Sequence, residues 1–185
     1  MNLDAVRVRV AEVLSQRRFA HVLGVVETAV ALARLHGEDV ARAELSALLH
    51  DVAKEMPVDE MERILISSGY DDYLGASRKV WHAPVGRVVA RLDYGVMDDD
   101  VLNAILYHTT GRAGMSRLEK IIYVADYTEP GRLQPGVDVV RANVAHLDIA
   151  VFLTLEQTIQ KLGEGSDIHG DTLAAYHDYK AKVGN

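Results

Sequence analysis

The chain has no cysteine, which excludes disulfides, zinc ribbons and thiol nucleophiles together. Their absence suits a reducing compartment, so the expected location is cytoplasmic. Positive charge is also scarce: 20 Lys and Arg against 27 Asp and Glu leave a formal net charge of −7. That balance argues against a sequence-independent grip on long nucleic acid, which needs many cations facing phosphates. A small anionic ligand, needing only local cations, remains allowed. No apolar run is read as reaching membrane-spanning length, so no membrane partner is expected. Met1 to Arg9 mixes Asp4, Arg7 and Arg9 with valines, unlike a secretory signal. No strand alternation, hairpin turn, internal repeat, low-complexity tract or dividing linker is evident. With 185 residues and 49% hydrophobic content, the expectation is one all-α domain spanning residues 1–185, built from eight or nine helices.

Apolar residues at helical spacing place those helices. Leu3, Val6, Val10 and Val13 mark a first, ending near Arg17. Val22, Val25, Val26 and Ala29 mark a second, opened by His21 and closed by Gly37. Asp39 can cap a third that runs to His50-Asp51 before Pro57. A fourth passes through Met61 and Leu65 to Gly69, and a loop follows to Val80. Pro84 suits the first turn of a fifth, with His82 at its mouth. Asp98, Asp99 and Asp100 start a sixth, in which Val101, Ile105 and His108 share a face. Ser116 and Glu119 have capping-box spacing ahead of a seventh, which carries Asp126 and ends at Pro130. Val140, Val144, Leu147, Val151 and Leu155 read as one long eighth helix, whose exposed face could support a homodimer. Asp171 could cap a ninth.

Without cysteine, the strongest metal-ligating residues are histidines and carboxylates. His21, His50, Asp51 and Asp126 lie near the ends of separate apolar helices, where a buried carboxylate needs a partner. Together they predict a shell of two imidazoles and two carboxylates for iron(II), manganese, cobalt or zinc. A second His-Asp pair, His177-Asp178, lies among tyrosines and lysines and reads as ordinary surface. Arg17, Arg112, Arg117 and Lys120 read as surface charge, whereas Arg18 and Lys54 are candidates for phosphate contacts.

The ordered set His21, Leu48-Leu49-His50-Asp51, His82, Tyr107-His108-Thr109-Thr110-Gly111 and Ala125-Asp126-Tyr127, with Glu129-Pro130-Gly131-Arg132, resembles the HD-domain superfamily. Within it the chain is similar to the YqeK-type symmetrical diadenosine tetraphosphate hydrolases, over nearly its whole length. The outer His and Asp set is common to the superfamily, and the segments 107–111 and 122–130 are the narrower signals. The resemblance implies hydrolysis of diadenosine tetraphosphate to two ADP at an iron bound by His21, His50, Asp51 and Asp126. It further implies that Arg18, Lys54, His82, His108, Thr109 and Arg132 surround the phosphates. The loop Ile168, His169, Gly170, Asp171, Thr172 and Leu173 would contact the nucleoside. Gly170 and His177 depart from the family pattern there, which has a proline before Asp-Thr-Leu and an asparagine after the tyrosine.

The expected chemistry is attack by a metal-bound hydroxide in line with the central phosphoanhydride, with Arg18, Lys54 and Arg132 compensating phosphate charge. His82 or His108 would donate a proton to the leaving phosphate. If both are ligands instead, Asp51 would bridge two ions. The alternatives are an HD phosphohydrolase acting on a nucleoside monophosphate, a cyclic nucleotide or a guanosine alarmone, and a nucleotide-binding regulatory module.

Overall fold

The computed structural model describes residues 2–163 and 168–184. Among them the chain forms ten α-helices, two short 3-10 turns and no strand. The helices are α1 (Leu3–Val13), α2 (Gln16–His36), α3 (Val40–Leu49), α4 (Val58–Ser67), α5 (His82–Leu92), α6 (Asp99–Tyr107), α7 (Arg117–Thr128), α8 (Val137–Arg141), α9 (Leu147–Leu162) and α10 (Gly170–Val183).

Most boundaries follow local capping chemistry. Asn2, Asp39 and Asp98 accept backbone N–H groups at the starts of α1, α3 and α6, and Ser116 with Glu119 forms a complete capping box on α7. Gly37 closes α2 at φ 65°, a left-handed cap that a side chain would strain.

Several expectations need correction. The first helix stops at Val13, because Ser15 caps α2 through the Arg18 amide while Glu55 accepts from both the Ser15 amide and hydroxyl. His21 consequently lies in the second turn of α2 and does not open it. The loop from Tyr70 to Val80 contains 3-10 turns at Asp71–Gly75 and Arg78–Val80. The long eighth helix is two helices, α8 and α9; between them the His36 ring donates to the Val144 carbonyl and the Asn143 side chain to the Val139 carbonyl. Finally, α10 is capped not by Asp171 but by His169, whose Nδ1 accepts from the Asp171 amide at 3.2 Å.

Helix α2 packs on α3 and α7, α6 packs on α5 and α7, and α9 packs on α7 and α10. The shared core includes Val25, Ala29, Leu48, Leu102, Ile105 and Ile122, all fully buried. A second cluster of Met61, Leu65, Tyr73, Trp81, Val85 and Leu106 anchors the α4–α5 connection on α6. Helix α2, against expectation, is long and apolar enough to cross a membrane by length and composition alone. Its Val22, Val25, Ala29 and Leu32 are instead buried in the protein core, as befits a central helix of a folded domain.

Candidate metal centre

The ends of α3 and α6 create matching histidine sites. His50 and His108 each follow the last residue of their helix, where backbone carbonyls lack intrahelical partners. His50 Nδ1 lies 2.7 Å from the Ala47 carbonyl, and His108 Nδ1 lies 2.7 Å from that of Ile105. A carbonyl only accepts, so Nδ1 carries the proton in both rings and each Nε2 presents a lone pair. His21 reaches the same state differently: its Nδ1 lies 3.1 Å from Glu129 Oε1. His21, His50 and His108 therefore turn Nε2 towards one region although they are far apart in sequence, and His108 Nε2 lies 3.1 Å from His82 Nε2.

Asp51 lies at the centre of that region. It leaves the helix axis in the turn after α3, which lets it share a centre with its neighbour His50 although adjacent helical residues diverge. Its two oxygens face different pairs of imidazoles. Oδ2 is 3.7 Å from His21 Nε2 and 3.5 Å from His50 Nε2. Oδ1 is 3.1 Å from His82 Nε2 and 3.7 Å from His108 Nε2. From α7, Asp126 Oδ1 approaches His21 Nε2 at 3.1 Å and His50 Nε2 at 4.0 Å. All six polar residues singled out in the sequence thus converge. Two triads have mutually close donor atoms, His21 with His50 and Asp51, and His82 with His108 and Asp51.

The cluster fits a divalent cation. His50 is completely buried, yet its Nε2 has no hydrogen-bond partner. Nor does His21 Nε2 make a hydrogen bond, although Asp126 Oδ1 lies beside it. Buried polar atoms without partners are rare and costly, and imidazole Nε2 atoms next to carboxylate oxygens are good ligands for borderline metal ions. Electrostatics favours the ligating protonation states. Burial draws both His50 and His82 down to about 4, against an opposing pull from Asp51. Both rings are therefore neutral near pH 7. Burial by itself would raise Asp51 and Asp126, but the surrounding histidines, with Arg132 beside Asp126, hold both carboxyls below their ordinary range.

Cations rim the centre. Arg18 pairs with Asp51 Oδ2 at 2.9 Å and Arg132 with Asp126 Oδ1 at 2.6 Å. Lys54 Nζ lies 3.3 and 3.2 Å from the two ring nitrogens of His82, and burial lowers its proton affinity despite Asp51 and Asp126. The other cations belong elsewhere: Arg112 pairs with buried Glu119, Lys120 with Asp148, and Arg117 donates to the Gly37 carbonyl. In the second His-Asp pair, Asp178 binds the Gly114 amide and Lys182, away from the cluster.

Beside the centre opens a cavity of about 230 Å³, whose lining includes His108, Thr109, Asp126, His169 and Thr172. His169 stacks on Tyr73 with ring centroids 4.6 Å apart. Within the C-terminal loop, then, His169 and Thr172 face this cavity. Ile168 and Gly170 line a smaller neighbouring recess, and Leu173 is 41% exposed. Sequence reasoning had no role for Tyr123, Thr154 or Thr158, which line the same cavity from α7 and α9. Tyr123 falls in the segment 122–130 but is given no role there; no local motif marks Thr154 or Thr158, which the packing of α9 on α7 brings to the site.

Comparison with known proteins agrees with this geometry. The HD domain family matches residues 18–131. A Bacillus subtilis (strain 168) protein named bis(5'-nucleosyl)-tetraphosphatase, symmetrical, is 40% identical over 181 residues, which is 96% of this chain and 97% of that protein. A Halalkalibacterium halodurans protein of the same name is 43% identical over 89% of each chain. A crystal structure from Clostridium acetobutylicum, described as a predicted HD superfamily hydrolase involved in NAD metabolism, superposes with a TM-score of 0.92 at 37% identity, covering 98% of both chains. The chain belongs to the HD-domain superfamily, in the group of the symmetrical bis(5'-nucleosyl)-tetraphosphatases.

Proposed function

We propose that this protein hydrolyses diadenosine tetraphosphate symmetrically, giving two ADP, as a single domain over residues 1–185 and in the cytoplasm. Water adds to one of the two central phosphorus atoms, and the anhydride bond between the central phosphates breaks. One ADP carries the water oxygen and the other leaves with the bridging oxygen. The observation that carries this reading is the convergence of His21, His50, Asp51 and Asp126, with Asp126 also lining a neighbouring cavity, in a chain 40% identical to a protein of that name.

Those four residues would hold one divalent ion, with iron our first choice and manganese, cobalt and zinc the competitors. When bound, such an ion supplies positive charge at the phosphate and lowers the proton affinity of a water molecule. The protein's own groups do the rest. Arg18, Lys54 and Arg132 compensate the charge of the phosphate oxygens, which is most of what phosphoryl transfer asks of a site. Thr109, which lines the cavity and whose buried hydroxyl has no partner, would donate to a phosphate oxygen. His169 and Thr172 would meet the nucleoside, with Tyr73 behind the histidine ring. His82 lies against Lys54 and within 3.1 Å of His108, Nε2 to Nε2, and one of these two rings would donate the proton to the leaving phosphate.

A second reading has its own observation. Asp51 turns one oxygen to His21 and His50 and the other to His82 and His108, the arrangement a carboxylate bridging two ions would need. Metal atoms per protomer, counted at high resolution, separate the two. One ion with uncoordinated His82 and His108 supports proton donation, and two ions support bridging. The functional reading itself is tested by turnover of a panel of dinucleoside polyphosphates after chelation and reconstitution with iron, manganese, cobalt or zinc. Loss on chelation and recovery with an ion are expected. Turnover indifferent to chelator, or absent with every ion, overturns it.

A further inference from the structure

Glu129 is 5% exposed and has no assigned part in the chemistry above, yet its carboxylate is held on every side. Oε1 lies 3.1 Å from His21 Nδ1 and 3.8 Å from Arg132 Nε. Oε2 accepts from the Gly131 amide at 2.5 Å. The backbone beneath is clamped by Arg141, whose guanidinium donates to the carbonyls of Thr128, Glu129 and Arg132 at 2.8–3.0 Å. Two glycines make room for the carboxylate. A Cβ on Gly24 would stand 2.6 Å from Glu129 Oε2, and one on Gly131 3.0 Å from the same atom. Gly24 lies inside α2, where glycine costs about 1 kcal/mol relative to alanine. The close approach of Glu129 gives that position its physical reason.

We propose that Glu129 is a positioning residue which fixes the tautomer and ring orientation of His21 and so presents Nε2 to the metal ion. Carboxylates face both ring nitrogens at 3.1 Å, but Asp126 Oδ1 is already bound by Arg132 at 2.6 Å whereas Glu129 Oε1 is 3.8 Å from that guanidinium, so in the neutral ring Glu129 keeps the proton on Nδ1 and the lone pair on Nε2, on the side where Asp51 and Asp126 lie. A carboxylate behind a ligating imidazole also raises its basicity. Both oxygens are needed, one for the ring and one for the Gly131 amide. Glutamine retains one acceptor and turns an N–H donor towards a donor, so it satisfies one partner and not both. The proposal rests on the reading that His21 is a metal ligand.

The test compares the full-length parent with Glu129→Gln, Glu129→Ala and Gly24→Ala. Manganese affinity is measured by calorimetric titration, the His21 tautomer by nitrogen NMR of the metal-free protein at alkaline pH, where the ring is neutral, and folding by urea unfolding. Glu129→Ala is expected to weaken manganese binding roughly 10–100-fold and to replace the single Nδ1-protonated form of His21 with a mixture. Glu129→Gln should fall between Ala and parent. Gly24→Ala, which touches no ligand, should weaken binding by displacing the carboxylate. Manganese affinity within twofold of the parent in Glu129→Ala, with an unchanged tautomer, overturns the proposal. If Glu129→Ala does not fold, the Gln and Gly24 variants decide by the same criteria. A parent that takes up no manganese defeats the metal reading instead, and the metal-free tautomer then still judges whether Glu129 orients the ring.

Discussion

Acidifying the metal-free protein should destabilise it by an amount that the buried imidazoles set. His50 and His82 each fall from 6.5 to about 4 on folding, chiefly through burial. Below pH 6.5 the unfolded chain takes up protons on these rings that the folded chain refuses, so unfolding becomes easier as pH falls. The stability they contribute is full above 6.5 and is lost progressively towards 4. At pH 5 an unfolded histidine is almost wholly charged and the folded one almost wholly neutral, a difference of about 2 kcal/mol for each ring. His21 acts in the opposite sense. Burial pulls its proton affinity down, but Asp126 and Glu129 outweigh burial and raise it overall, so it adds stability on acidification and offsets part of the loss. Asp51 and Asp126, held below the ordinary carboxylate value of 3.8, keep their contribution until the pH falls below that value. The net expectation is a loss of roughly 2–4 kcal/mol between pH 8 and pH 5, read by urea unfolding in the presence of chelator. His50→Gln should lower stability at pH 8 and remove about 2 kcal/mol of the pH dependence. A parent equally stable at both pH values, or a His50→Gln protein with the parent's slope, would refute the reasoning.

Other substitutions separate metal binding, substrate binding and folding. His50→Ala and Asp126→Ala should each lose metal and turnover together while folding is retained or modestly weakened, checked by metal analysis and circular dichroism. Arg132→Ala should keep its metal and raise KM roughly 10–100-fold, since a charged hydrogen bond to phosphate contributes about 1.5–3 kcal/mol; an unchanged KM removes Arg132 from the phosphate site. Leu102→Ala, in the fully buried core, should cost about 2–5 kcal/mol in thermal or urea unfolding with metal affinity preserved.

The helices and the centre were legible in the sequence to different depths. Asp39, Asp98 and the Ser116 capping box declare their helix starts through their own side chains, and the structure uses them so. His21, His50, Asp51, His82, His108 and Asp126 could be gathered because polar residues at the ends of apolar helices need partners. Breaks made by distant residues were not legible. The apolar spacing continues through Val140, Val144 and Leu147, but the helix is interrupted where His36, on α2, takes the Val144 carbonyl. The end of α1 depends in the same way on Glu55 reaching Ser15. Glu129 stood in a recognised segment, but its contact with His21 spans 108 positions, and only Gly24 inside α2 hinted at a close approach.

The most direct test of the account is product analysis. The metal-reconstituted protein is given diadenosine tetraphosphate, and nucleotides are separated at early times, before any secondary conversion. ADP as the only nucleotide product, two per substrate consumed, is the predicted result. AMP with ATP, or intact substrate alongside rapid hydrolysis of a mononucleotide, would contradict it.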